Sequence, residues 1–361
     1  MKLRLPAIAI LAAALLAACS PQLAQPTANG VGGANSTPAE PRELTVMTHD
    51  SFAVSEELVA AFEAEHNATL IFLKSGDTGE AVNKAVLAAD QPLADVFYGV
   101  DNSFLSRALE GGIFEAYESP LLEQIPDEFE LDPAHGALPV DYGDVCINYD
   151  KGWFAEAGLE PPAGLEALLQ PEYEGLLVVE NPATSSPGLA FLLATIGHFG
   201  EDGYLDYWQG LRDNGLKVVS DWETAYYTEF SRWGGAYPLV VSYASSPPAE
   251  VIFAEEPLDD APTASVVVDG ACFRQIEFVG ILQGTEQREL AEAWVDFMLS
   301  TAFQEDMPLQ MFVFPVNAEA QLPQEFVDYV QVPEQTAAVS AADIAAQREV
   351  WIQAWTETVL R

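Results

Sequence analysis

The sequence predicts an α/β protein of two lobes enclosing a cleft, and three observations predict it. Short apolar β runs alternate with amphipathic helical stretches from residue 43 onward. Hydrophobic residues make up 49% of the chain, with 7 Trp, 12 Tyr and 19 Phe, enough to build a real core. No internal repeat or long linker divides the residues from 43 onward, so two lobes share several crossings and are not two beads on a string.

The N-terminus comes first. Lys2 and Arg4 precede an apolar run from Leu5 to Ala18, a secretory signal over residues 1–18 that is too short to span a membrane. It ends in Leu16-Ala17-Ala18-Cys19, which resembles the bacterial lipobox and makes Cys19 a candidate for lipidation. An ordinary signal with a chance cysteine is the other reading. Residues 19–42, rich in Pro, Gly, Ser, Thr and Ala, read as a flexible tether after that cysteine. The chain is thereby expected outside the cytoplasm, held to a membrane by its lipid.

The alternation then begins. Residues 44–48 are a β run, and Val54, Leu58, Val59 and Phe62 form one helical stripe. Residues 68–73 are a second strand. Thr78 is the expected cap of a helix through Leu87, with Ala81, Val82, Ala85 and Val86 inward. Residues 95–99 are a third strand, and Asp101 the expected cap of the next helix. This order argues for an open, mostly parallel sheet with helices on both faces. Further strands are expected near 143–149, 176–180, 216–220, 238–243, 263–268 and 276–282. Helices are expected near 187–199, 203–213, 222–232, 286–299 and 340–358. The stretch 286–299 spaces Ala291, Trp294, Val295, Met298 and Leu299 on one face, and Ser340 with Asp343 opens the last helix like a capping box.

Charge excludes several functions. Asp plus Glu is 56 against 14 Lys plus Arg, a formal charge of −42, which repels phosphate backbones and argues against nucleic-acid binding. Such acidity suits solubility, a salty habitat or the steering of a cationic ligand. Three Cys rule out a disulfide-built scaffold. His49, His66, His135 and His198 have no metal-ligand spacing, and no GxSxG, Walker or GxGxxG-after-strand sequence is present, so no metal and no cofactor is implied.

Four segments fall at expected strand-to-helix junctions: Thr48–Phe52, Gly76–Gly79, Gly99–Asn102 and Thr184–Gly188. Amides and hydroxyls there can hold an anion or a polar oxygen, or they are ordinary caps and turns. Trp222, Tyr226, Tyr227, Tyr243, Phe312 and Phe314 either form a stacking box for a flat ring or cation, or pack in the core. A secreted, tethered, two-lobed protein with such junctions reads as a solute receptor whose lobes close by hinge motion.

Seven stretches carry a resemblance. They are 44–52; 94–102; Asp141-Tyr142-Gly143 with Tyr149-Asp150-Lys151; 181–189, containing Thr184-Ser185-Ser186-Pro187-Gly188; 241–247, containing Ser242-Tyr243-Ala244-Ser245-Ser246-Pro247; 297–300; and 345–348 with Trp351 and Trp355. In collinear order over about 43–358 they resemble the thiamine-binding receptors of bacterial ABC transporters, a family of the type II periplasmic-binding fold near the ferric-ion receptors. The resemblance implies a first lobe over 43–145, a second over 146–272, and a return to the first over 273–361. It implies ligand contacts from Asp77, Thr78, Ser185, Ser186, Trp222, Tyr243, Ala244, Ser245, Ser246, Pro247 and Phe312, with His49 standing where the family has Tyr. Thr78 replaces a Gly, Ala249 a Tyr, and Phe312 a Trp of that family.

The implied ligand is thiamine or a phosphate ester of it, handed to an ABC import permease with no chemistry done on it. Aromatic faces and an acidic cleft suit a thiazolium, and the hydroxyls of Ser185, Ser186 and Ser245 suit a phosphate. Cys146 and Cys272 fall in segments that by fold analogy run side by side, as a bridge or as two buried thiols. Two rivals stand beside this reading. A ferric-ion receptor would use Tyr226 and Tyr227 as oxygen ligands, and a thiaminase-I-like enzyme would use Cys146 as nucleophile and Glu277 as base.

Overall fold

The computed structural model describes residues 40–361. The signal over 1–18, Cys19 and the tether up to 39 lie outside the described residues. Residues 41–361 form one compact unit.

In chain order the elements are β1 (Arg42–Thr48), α1 (Glu56–His66), β2 (Ala68–Lys74), α2 (Thr78–Leu87), β3 (Val96–Asp101), α3 (Leu105–Glu110), β4 (Phe114–Glu115), β5 (Leu138–Asp150), α4 (Lys151–Ala157) and β6 (Leu177–Glu180). There follow α5 (Ser186–Phe199), α6 (Tyr204–Asp213), β7 (Lys217–Val219), β8 (Leu239–Tyr243), α7 (Ser246–Ile252) and β9 (Thr263–Val266). The chain closes with β10 (Phe273–Leu282), α8 (Arg288–Leu299), α9 (Thr301–Gln310), β11 (Phe314–Pro315), α10 (Gln324–Tyr329) and α11 (Ala341–Val359).

One sheet runs in the order β2-β1-β3-β10-β5-β8-β6-β7. It is not the mostly parallel sheet that the alternation predicts. β1 pairs in parallel with β2 and β3, and β6 in parallel with β7 and β8, which makes two parallel wings. Between them β10 and β5 pair antiparallel to each other and to the wings. The physical reason is that β5, of 13 residues, and β10, of 10, are long enough to run from one wing to the other and bring the chain back. Arg42, the last residue expected of the tether, is the first of β1 and pairs with Ala68.

The amphipathic stripes are buried as their spacing requires. Phe62 of α1 and Ala81, Val82 and Ala85 of α2 are buried, with Val86 half-buried. Ala291, Trp294, Val295, Met298 and Leu299 of α8 are all buried, and Trp294 meets Phe62 edge-on at 5.0 Å between ring centroids. The Ser340 hydroxyl accepts from the Asp343 amide at 3.1 Å and so caps α11. Two caps differ from expectation. Asp77, not Thr78, caps α2, accepting from the Thr78 amide at 2.7 Å. Asp101 does its capping from the end of β3, where it accepts from the Phe104 amide at 3.1 Å.

The helix expected over 222–232 is a short π-helix, Thr224–Glu229. The chain folds back at once, and Gly235 packs so tightly on Glu229 that a Cβ there would lie 2.1 Å from the Glu229 carbonyl carbon. Helices α4, α7, α9 and α10 were not legible. Each is 10 residues or shorter, and α7 and α9 carry proline within them.

Cys146 of β5 and Cys272, just before β10, form a disulfide across 126 residues of sequence. It lies in a small buried cluster with Ala244. No free thiol is left on Cys146 to act as a nucleophile, and the Cys146-based enzyme reading is thereby overturned. Replacing both cysteines by alanine is expected to lower the unfolding free energy by about 2–4 kcal/mol, since the bridge closes a long loop. Urea denaturation of the two proteins measures it, and addition of reductant should lower the stability of the unmodified chain alone.

Candidate ligand-binding site

A cavity of about 200 Å³ opens where the two wings meet over the central strands. Much of the wall comes from the ends of strands and the starts of helices. His49, Ser51 and Ala53 follow β1, and Asp77 and Thr78 begin α2. From the other wing come Ser186 and Pro187 at the start of α5, Trp222, Glu223 and Tyr227, Tyr243 at the end of β8, and Ser246 at the start of α7. Gln275 and Glu277 of β10 line it from the centre, and Gln310–Val313 close it.

Of the residues that the sequence nominates, His49, Asp77, Thr78, Ser186, Trp222, Tyr243, Ser246 and Phe312 line the cavity. Ser185 and Ser245 are buried and are not among the lining residues, and Ala244 and Pro247 line a separate small depression with Lys151 and Asp260. Gln275, Glu223, Gln310 and Met311 are additions that sequence reasoning passed over. A signal for Gln275 exists: it stands two positions before Glu277 in β10, which puts both on one face of the strand.

The aromatic wall is held in place. Trp222 stacks on Tyr226 at 5.1 Å and 15°, and its indole N–H donates to the Ser242 hydroxyl at 3.0 Å. Tyr227 meets Trp222 edge-on at 5.5 Å. The Tyr243 ring needs Gly143 beneath it, since a Cβ there would lie 2.7 Å from the ring. Phe312, at φ 61°, occupies left-handed backbone that a bulky residue rarely adopts, and its ring touches Phe253 at 5.3 Å. Phe314 is not in the box, being stacked on Tyr142 at 5.2 Å. Tyr226 is not in it either. It is buried, its hydroxyl donates to Glu250, and its ring stands at 89° to that of Tyr227. The two hydroxyls therefore do not form the adjacent oxygen pair that the ferric reading needs. Among the described residues no group of three or more His, Cys, Asp or Glu is placed to hold a metal.

Beneath the cavity lies a cluster of acidic groups. The Tyr98 hydroxyl donates to Asp141 at 2.7 Å and lies 3.3 Å from Glu277, and His49 Nε2 lies 3.3 Å from the other Glu277 oxygen. Gly99 makes room for that imidazole, because a Cβ would lie 2.3 Å from it. Burial pushes the Glu277 carboxyl up to about 8, with Asp101 adding to the shift. Burial, with the Glu277 charge, holds Asp141 well above the ordinary carboxylate range, and burial lowers His49. Asp77 is raised by burial, partly offset by the Ser185 hydroxyl and the Thr78 and Trp222 amides. Burial thus disfavours the charged forms of the carboxyl and imidazole groups of this floor alike.

The two wings touch across the cavity. The Trp222 amide donates to Asp77 at 3.2 Å, and the Ser186 hydroxyl donates to Asp101 at 2.8 Å. At Gly79 of α2 a Cβ would lie 2.9 Å from the Thr184 carbonyl, so the first turn of α2 lies directly against the segment that starts α5.

The proton held by Glu277 gives a measurable stability term. The folded group titrates near 8 against 4.5 for an ordinary Glu, so unfolding between those values releases a proton. Its contribution is full below pH 4.5 and is lost as pH rises through 8. The melting temperature is expected to fall over that range, and Glu277→Gln should give a shallower fall. Equal slopes for the two proteins in thermal melts would contradict the assignment.

The comparisons with known proteins agree with this geometry. Residues 91–336 match the family pattern of bacterial extracellular solute-binding proteins. The thiamine-binding periplasmic protein of Escherichia coli K12 is 30% identical over 323 residues, covering 88% of this chain and 94% of that one. A solved periplasmic thiamin binding protein superposes with a TM-score of 0.77 at 28% identity, covering 89% of this chain and 97% of its own. A ferric binding protein from Campylobacter jejuni, at 17% identity and a TM-score of 0.70, shares the fold, with 87% of this chain and 99% of its own covered. The architecture is the two-lobed type II periplasmic-binding fold with its cleft, and the chain belongs to the bacterial extracellular solute-binding protein family.

Proposed function

We propose that this chain is an extracytoplasmic receptor that captures thiamine, or a close pyrimidine–thiazolium relative, and delivers it unaltered to an ABC import permease. One observation carries the reading: a single cavity sets aromatic faces (Trp222, Tyr227, Tyr243, Phe312) beside carboxyl groups (Asp77, Glu277). That combination suits a flat ring joined to a fixed positive charge. The names of the thiamine-binding relatives support it.

The cleft closes as the lobe over 43–145 and 273–361 meets the lobe over 146–272. Asp77 and Thr78 act from the first lobe. Ser186, Trp222, Tyr243 and Ser246 act from the second, with Ser185, Ala244, Ser245 and Pro247 as their immediate neighbours in sequence. His49 and Phe312 border the pyrimidine. Cys19 carries the lipid that keeps the receptor at the membrane beside its permease. No described helix is long and apolar enough to cross a membrane.

Calorimetric titration with thiamine tests the reading. The expected result is one-to-one binding without turnover, weakened about tenfold or more by Trp222→Ala through loss of the stacking face. Absence of thiamine binding, or formation of a coloured complex with Fe(III), would overturn it.

A further inference from the structure

We infer that Phe253 is a positioning residue that keeps the cleft shut on its solute, by holding Phe312 of the opposite side against the cavity. The inference deepens the receptor reading and rests on it.

The two rings belong to different sides of the molecule. Phe253 follows directly on α7, the helix after β8, and its amide donates to the Ala249 carbonyl one turn back at 3.0 Å. Phe312 lies between α9 and β11. That segment is fastened to the wing of β1 and to the central strands. The Ala53 amide, after β1, donates to Met311 Sδ at 3.1 Å, and the Ser55 amide donates to Asp306 at 2.9 Å. β11 pairs with Tyr142 and Asp141 of β5. Helix α7 packs against α9. Just past the ends of both helices the Phe253 and Phe312 rings meet at 5.3 Å and 55°.

Phe312 lines the cavity and Phe253 does not. Phe253 is 55% exposed, so it backs Phe312 from the solvent side. The backbone of Phe312 needs such a hold. Left-handed backbone at φ 61° is costly for a phenylalanine and persists where surrounding contacts impose it. The Phe253 ring supplies one of those contacts, from the wing that moves away when the cleft opens. Tilted aromatic pairs attract each other beyond the area they bury.

This placement has a kinetic consequence. The hydrogen bonds from Trp222 to Asp77 and from Ser186 to Asp101 join the wings through α2 and β3. The ring pair joins them through the segment that closes the cavity. Opening must part the rings before the solute leaves, so the pair slows release. An arriving solute meets rings already apart, so the pair leaves association unchanged. Because more than half of Phe253 faces solvent, its truncation opens no cavity in the core.

Stopped-flow tryptophan fluorescence of the full chain with thiamine tests the inference. Phe253→Ala is expected to speed thiamine release about fivefold or more and to keep association within about twofold. Phe253→Tyr keeps the ring and should release as slowly as the unmodified chain. Phe312→Ala should also speed release, and adding Phe253→Ala to it should change nothing further, because the second ring then has nothing to hold. Release unchanged by Phe253→Ala, an effect confined to association, a Phe253→Tyr variant as fast as the alanine one, or single effects that multiply in the double variant overturns the inference while the receptor reading stands. Absence of thiamine binding by the unmodified chain overturns that reading and the inference with it.

Discussion

The antiparallel pairing of β5 with β10 is the constraint on which the remaining structure depends. Its register sets Glu277 opposite Asp141 on one side, and the pairing of β10 with β3 sets Glu277 opposite Asp101 on the other. Three carboxyl groups thus stand side by side on the central strands, all buried. Burying an ionised carboxylate costs several kcal/mol even after relaxation, so burial raises the pKa of all three, and hydrogen bonds from Tyr98 and from the Ser103 and Ser186 hydroxyls offset part of that cost. A sheet centre with only a structural role is filled at lower cost with Val and Ile, as Val140, Val145 and Ile147 of the same strand β5 show.

Around that floor the two wings supply what the central strands cannot. Each wing is parallel, so the loops leaving its strands gather at one edge, and the helices that follow begin there. Asp77 on one side and Ser186, Trp222 and Ser246 on the other reach the same cavity for this reason, although they are far apart in sequence. The aromatic residues are fixed before any solute arrives. Trp222 is clamped between Tyr226 and the Ser242 hydroxyl, and Tyr243 rests on the space left by Gly143. Few rotamers remain to be lost on binding, which favours affinity. Between the wings, Trp222 to Asp77 and Ser186 to Asp101 are single hydrogen bonds, each worth about 1 kcal/mol net, more where an ionised group takes part. Such contacts hold a closed cleft without locking it.

Much of this was legible from residues because it depends on local periodicity. The stripe from Ala291 to Leu299, the cap at Ser340 and the junction segments around Asp77, Ser186 and Tyr243 are short-range patterns, and the structure uses each of them. What failed to show was non-local or short. The π-helix at Thr224–Glu229 depends on the backbone of Gly235 folding back onto it. Tyr226 and Tyr227 are neighbours in sequence, yet one is buried against Glu250 and the other faces the cavity. Strand direction at the centre of the sheet was misread because alternation of β and α patterns says nothing about which strand a chain returns beside.

The sequence by itself determined the composition of the site: which aromatic, hydroxyl and carboxyl groups stand at strand-to-helix junctions, and that basic residues are scarce. Those properties belong to single residues and their near neighbours. Only the tertiary structure decided which of them meet. It joined Cys146 to Cys272 and brought Gln275 and Glu277 into the cavity. The reason is that these outcomes depend on the register of β5 against β10. Register is set by the packing of the whole sheet, and a shift of one residue would have reversed every face.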